Sequence, residues 1–200
     1  MYDFEKQRGS YVLRVDGEEL HTPMGMPVFT GSRELAKKLC EDLERFGEKP
    51  SNPLSLVAFH YAMIDFFSDM PRAETEYSVV FGLNKENDWT FNCPTAEPHA
   101  QMEWMGLFGT YSNNAEKGKE WLASLSLPQL CSVCIVGRAI ESVNIPFIIS
   151  TMLKAEIIYD FAEAVVARYP YFSKDEMGRL FDNYLFYFNL DEDEVLPGAP

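Results

Sequence analysis

Tyr11-Val-Leu-Arg-Val-Asp-Gly-Glu-Glu-Leu-His-Thr22 is the stretch whose reading decides the fold. Tyr11, Leu13 and Val15 alternate with Val12 and Arg14, the period of a strand with two unlike faces. Asp16-Gly17 follows at once, and both residues of that pair tolerate positive φ, so the strand must turn back as a hairpin. Pro23 ends the return strand because it has no N–H to give the ladder. Met24-Gly25-Met26-Pro27 reads as a second turn, with Val28 and Phe29 as another short strand.

Beyond Phe29 the period changes from two to about 3.6. Ser32 is placed to cap a helix N-terminus, and Glu34 complements the positive end of its dipole. Leu35, Ala36, Leu39, Cys40, Leu43 and Phe46 share one face, and Gly47 supplies the stop. Pro50, Asn52 and Pro53 make a rigid link to a second helix, with Leu54, Val57, Tyr61 and Ile64 in one stripe and an end near Met70-Pro71. Tyr77 to Phe81 fits either a strand or a helical turn. Asn84 to Asp88 reads as a loop, and Trp89, Phe91 and Cys93 alternate like a short strand.

From Pro98 onward the pattern is helical. Trp104, Leu107, Phe108 and Tyr111 share a face, and Trp121, Leu122 and Leu125 mark a shorter helix. Ser126-Leu-Pro-Gln129 fits a capping box, and Leu130 to Ile140 is apolar almost all round, the pattern of a helix buried on most sides. Asn144 and Pro146 open a helix running to about Arg168. Ser173 and Glu176 form a full capping box before a last helix whose apolar side is Met177, Leu180, Phe181, Tyr184, Leu185 and Phe188. Four consecutive acids from Asp191, then Pro, Gly and Pro, predict a frayed end. The expected fold is α+β: residues 1–94 an N-terminal α/β part with β-hairpins, 95–190 a helical domain, 191–200 an acidic flexible tail.

Composition narrows the function. The 200 residues, 46% of them hydrophobic, suffice for a core without disulfides or metal. A net charge of −14 is spread evenly, with 10 basic against 17 acidic residues in 1–100 and 7 against 14 in 101–200. Such a field repels phosphate backbones and anionic lipid head groups, so nucleic acid and membrane surfaces are not expected partners, whereas a basic protein is compatible. Cys40, Cys93, Cys131 and Cys134 sit in or beside apolar runs, as reduced thiols used for packing do. Met1 to Ser10 is charged and lacks the apolar core of a secretory signal. The longest apolar stretch, Ile145 to Leu153, falls far short of the ~20 residues of a spanning helix. A soluble protein of the cytoplasm is expected, or of the mitochondrial matrix if the chain is a processed form.

Catalytic patterns are weak. Cys131-Ser-Val-Cys134 has thioredoxin-like spacing, but it lies a turn inside an apolar helix, where burial raises a thiol pKa and quenches reactivity. Zinc would need a second close pair of ligands, so no metal is expected. His21, His60 and His99 are scattered, with no nucleophile beside them, and none is expected in a pocket of converging titratable groups. Glu156, Asp160 and Glu163 share part of a helix, a spacing more typical of a solvated acidic face than of paired-carboxylate chemistry. No nucleophile elbow, phosphate loop or dinucleotide fingerprint occurs, and neither enzyme chemistry nor a cofactor is expected. The 15 Phe, 10 Tyr, 9 Met and 3 Trp suit adaptable protein-binding surfaces as well as ordinary cores.

Val12-Leu-Arg-Val-Asp-Gly-Glu-Glu-Leu-His-Thr-Pro-Met-Gly-Met-Pro-Val28 also carries a family likeness. With Leu35-Ala36, the acidic Glu41-Asp42-Leu43-Glu44, Pro53-Leu54-Ser55 and Ala62-Met63-Ile64-Asp65, it resembles the assembly chaperone of the F-type ATP synthase α subunit in order and spacing over about residues 11–66. Farther on the likeness is one of layout. Glu156 stands nearest the family's functional Glu, while Tyr159 and Phe161 to Glu163 occupy the place of its Gln and Trp-Gly. The resemblance implies a protein-binding role: the chaperone covers an apolar face of an unassembled subunit until the final partner claims it. It makes the α subunit the expected client, with Glu156, Asp160 and Glu163 as client-binding residues. A divergent relative holding a different protein, or an enzyme of undescribed type, are the alternatives.

Overall fold

The computed structural model of the chain describes residues 1–48, 54–68, 71–76, 123–140, 166 and 172–198. The expected strand at Trp89 to Cys93, the helices between Pro98 and Leu122, nearly all of the helix from Pro146 to Arg168, and the boundary at residue 94 lie outside them.

The chain is α+β, with an N-terminal antiparallel sheet of four strands and helices beyond it. Strand β1 (Tyr2–Gln7) pairs with β2 (Ser10–Val15) from Tyr2↔Val15 to Gln7↔Ser10. On the other side of β2 lie β3 (Glu18–Glu19) and β4 (Phe29–Thr30), with Arg14 opposite Glu19 and Tyr11 opposite Thr30. Asp16 and Gly17 make the expected turn at φ 51° and 88°, and Arg8 and Gly9 repeat it between β1 and β2 at 46° and 99°. Two successive positive φ values match the right-handed twist of the strands they join. The first strand, absent from the expected set, hides its half-buried Tyr2 and Phe4 among Asp3, Glu5 and Lys6. Below the sheet, Leu13, Leu20 and Val28 are fully buried, and their backbones are tied: Leu20 N–H donates to Leu13 O and Val28 N–H to Leu20 O, both at 2.9 Å.

Helix α1 (Arg33–Phe46) packs on this sheet. Ser32 Oγ accepts from Leu35 N–H, Gly47 ends the helix at φ 72°, and Leu35, Ala36, Leu39, Cys40 and Leu43 are the buried face, as the spacing predicts. Helix α2 (Leu56–Phe66) departs from its expected single stripe. Ala58, Phe59, His60, Met63 and Asp65 are buried along with Val57, Tyr61 and Ile64. The reason is position: α1 covers one side of α2, and helices α3 (Leu127–Ile140) and α4 (Lys174–Phe188) cover another. The helix also ends at Phe66, earlier than expected, and residues 71–76 resume a helical path after it.

Helix α3 is buried nearly all round, and Ser126 N–H donates to Gln129 Oε1 at 3.0 Å, one arm of the expected cap. Helix α4 carries both arms of the Ser173–Glu176 box. Described residues before and after position 94 share one core. Cys131 Sγ donates to Phe59 O, and Asn183 Nδ2 donates to Leu54 O at 2.9 Å.

The acidic end corrects an expectation. Instead of fraying, Glu192–Val195 forms a short helix, α5, with Val195 fully buried. Asp191 N–H donates to Glu194 Oε2, so part of the acidic run caps itself. The Glu194 carbonyl then accepts from Gly31 N–H at 2.9 Å, Ser32 N–H at 3.0 Å and the Thr30 hydroxyl. Backbone groups at the entrance to α1 thus find their partner 160 residues downstream, as buried donors must. Gly31 permits the approach, since a Cβ there would lie 2.0 Å from Asp193 O.

Candidate functional site

Glu156, Asp160 and Glu163, the expected client-binding residues, lie outside the described residues, as do His99 and Cys93. The groups that are described sort into a buried structural set and one open groove.

His60 belongs to the buried set. Its Nε2 lies 2.9 Å from Phe29 O, and its Nδ1 lies 3.0 Å from the Tyr187 hydroxyl. A carbonyl only accepts, so Nε2 carries the hydrogen and Nδ1 accepts from the phenol. Full burial pushes the imidazole pKa down to about 4, partly opposed by the Phe29 carbonyl, and raises that of Tyr187. Both ring nitrogens are thus engaged, and the ring ties α2 to β4 and α4. His21, by contrast, is exposed at the end of the sheet, its Nδ1 2.9 Å from Glu19 O. The two rings do not converge.

Cys131 and Cys134 are free, buried thiols. Burial raises the pKa of Cys131 well above its ordinary value and that of Cys134 to about 12, against the partial opposition of Arg138. Cys40 is pushed up to about 11 by burial and neighbouring carboxylates. Thiols so disposed are poor nucleophiles at neutral pH. Among the described residues no group of three or more His, Cys, Asp or Glu side chains is arranged to hold a metal, and no helix is long and apolar enough to cross a membrane.

The groove lies where the Pro23–Met24 turn meets α2 and α3. It measures about 280 Å³ and is lined mainly by apolar atoms of Met24, Ala58, Ala62, Phe66 and Ile135. The large hydrophobics beside it are open to solvent: Met24 is 60% exposed, Met26 48% and Phe66 40%. Local sequence explains how they come to be there. Gly25, at φ 80°, donates its N–H to Thr22 O, and Met26 O accepts from Thr22 N–H, so the loop is a tight turn that throws both methionines outward. The Thr22 hydroxyl donates to Asp65 Oδ1 at 2.6 Å, fastening the turn to α2. Arg138 and Glu76 pair at 2.9 Å on the rim. Asp65 and Tyr61 add polar residues to the wall, 4% and 3% exposed, and the Tyr61 hydroxyl, sealed from solvent, has no hydrogen-bond partner among the described residues.

This groove was not foreseen from sequence, although its materials were. The turn at Met24–Pro27 and the excess of methionine were both visible, but a wall assembled from residues 23 to 138 requires the tertiary arrangement. No protein-family model, curated protein or solved structure matches the chain.

Proposed function

We propose that the protein is a binding and assembly factor for another polypeptide, holding an apolar segment of its client against the Met24–Phe66 groove. The observation that carries this reading is the group of exposed Met24, Met26 and Phe66 beside an apolar groove. Methionine is unbranched and polarizable, so such a surface adapts to varied apolar contacts. Covering it removes apolar area from water at roughly 25 cal/mol per Å², the driving force a holding factor needs. The net charge of −14 adds long-range attraction for a basic client and repulsion of nucleic acid.

The likeness of residues 11–66 to the F-type ATP synthase α-subunit chaperone makes that subunit the first client to test. The test is aggregation of the purified, unassembled α subunit followed by light scattering. Equimolar chaperone should suppress scattering, and Met24→Asp with Phe66→Asp should abolish the protection while the fold survives. Glu156→Lys should weaken it without unfolding. Unaltered scattering with the native chain present would remove this client, and undiminished protection by the double variant would remove the groove.

A further inference from the structure

The groove's polar wall says more about its occupant than its grease does. Asp65 and Tyr61 are four residues apart on α2 and therefore stand on one face of the helix. Asp65 Oδ1 accepts the Thr22 hydroxyl, and among the described residues no cation pairs with the carboxylate. Arg72 Nη1 reaches the Asp65 backbone carbonyl at 3.4 Å, and Arg138 on the rim is held by Glu76. A carboxylate that is nearly buried and accepts one hydroxyl among the described residues is costly in a folded chain unless a cation completes it.

We propose that the groove takes a lysine or arginine side chain from an apolar segment of the client protein, its stem along Ala58, Ala62 and Phe66 and its cationic head on Asp65. This rests on the protein-binding reading and specifies which segment is bound. The chemistry fits in three respects. Long cationic side chains lay their methylenes on apolar surface and carry charge at the tip. A charge-assisted bond to a carboxylate in a largely apolar pocket is among the stronger single contacts. An ammonium or guanidinium is also drawn to aromatic rings, and the exposed Phe66 lies in the wall. The net charge of −14 favours the same sign of occupant.

The test uses the intact chain and a fluorescein-labelled, leucine-rich 14-residue helical peptide bearing one central arginine, beside the same peptide with citrulline there. Citrulline keeps the shape and loses the charge. Anisotropy should show the arginine peptide binding at least tenfold tighter, with the preference lost in Asp65→Asn, which retains an oxygen for Thr22. Tyr61→Phe is the second variant. It serves as the control: it should leave thermal stability unchanged or improved, since it deletes a hydroxyl with no partner among the described residues, and leave the preference for the arginine peptide intact. Equal affinity for the two peptides, or an Asp65→Asn chain that keeps the preference, would overturn the inference. So would methylguanidinium competing as well as the peptide does, because the site would then serve a small amine. Should the α subunit be protected normally by Asp65→Asn, this inference falls and the binding role stands. If the arginine peptide shows its charge preference while no client is protected, the converse holds.

Discussion

His60 Nδ1 lies 3.0 Å from the Tyr187 hydroxyl, 127 residues away in the chain, and this bond joins α2 to α4 inside the core. Burial keeps this imidazole neutral, which makes stability depend on pH. The folded pKa of about 4 lies below the ordinary 6.5. The folded state therefore refuses a proton that the unfolded chain accepts. His60's contribution is complete above pH 6.5, declines from there as pH falls, and is exhausted below pH 4, a loss of about 3 kcal/mol. Urea midpoints measured between pH 7 and 5 should fall in the native chain and fall less steeply in His60→Gln. Parallel curves would show that the imidazole titrates normally.

Gly31→Ala should cost about 2–4 kcal/mol, because the new Cβ cannot share space with Asp193 O and the helix bearing Val195 must lift away. Gly178→Ala is the control. Nothing stands within 4 Å of a Cβ at that helical position, so the same substitution should stabilise by about 0.5–1 kcal/mol. Thermal unfolding of the two variants should move in opposite directions.

Cys131 and Cys134 should resist iodoacetamide at pH 8 in the native chain and react fully in urea, as peptide mapping by mass spectrometry would read out. Rapid native labelling of either thiol would contradict their burial and raised pKa.

Ser173→Ala removes the hydroxyl that accepts from Glu176 N–H and should cost about 1 kcal/mol. Ser173→Thr, which keeps a hydroxyl for both the Glu176 N–H and the Glu176 carboxylate, should retain most of that stability. A loss of equal size in both variants would mean the hydroxyl is not acting as a cap.

Features carried by adjacent residues were legible before the coordinates. The Asp16-Gly17 turn, the Ser32 and Ser173 caps and the Gly47 stop each depend on chemistry within four residues. Strand β1 was obscured because only two apolar residues, Tyr2 and Phe4, alternate with Asp3 and Glu5 before Lys6 ends the pattern, and pairing with β2 supplies what its own residues do not. The burial of α2 beyond a single stripe depends on neighbours from three other elements, which periodicity cannot report. The acidic end misled for a sharper reason: composition describes its side chains, but it is fastened by the Glu194 main-chain carbonyl. Of the groove, the turn and the methionines could be read, while the juxtaposition of Asp65 with Thr22 and of α2 with Arg138 could not.

The clasp between Glu194 and Gly31 also sets a timetable for biosynthesis. At roughly 5–20 residues per second, the ribosome takes on the order of ten to thirty seconds to travel from one partner to the other. During that interval the nascent sheet and first helix exist without their closing strap, and the apolar seat for Val195 faces solvent or any passing holdase. The chain would thus spend that interval with a bare apolar surface of its own.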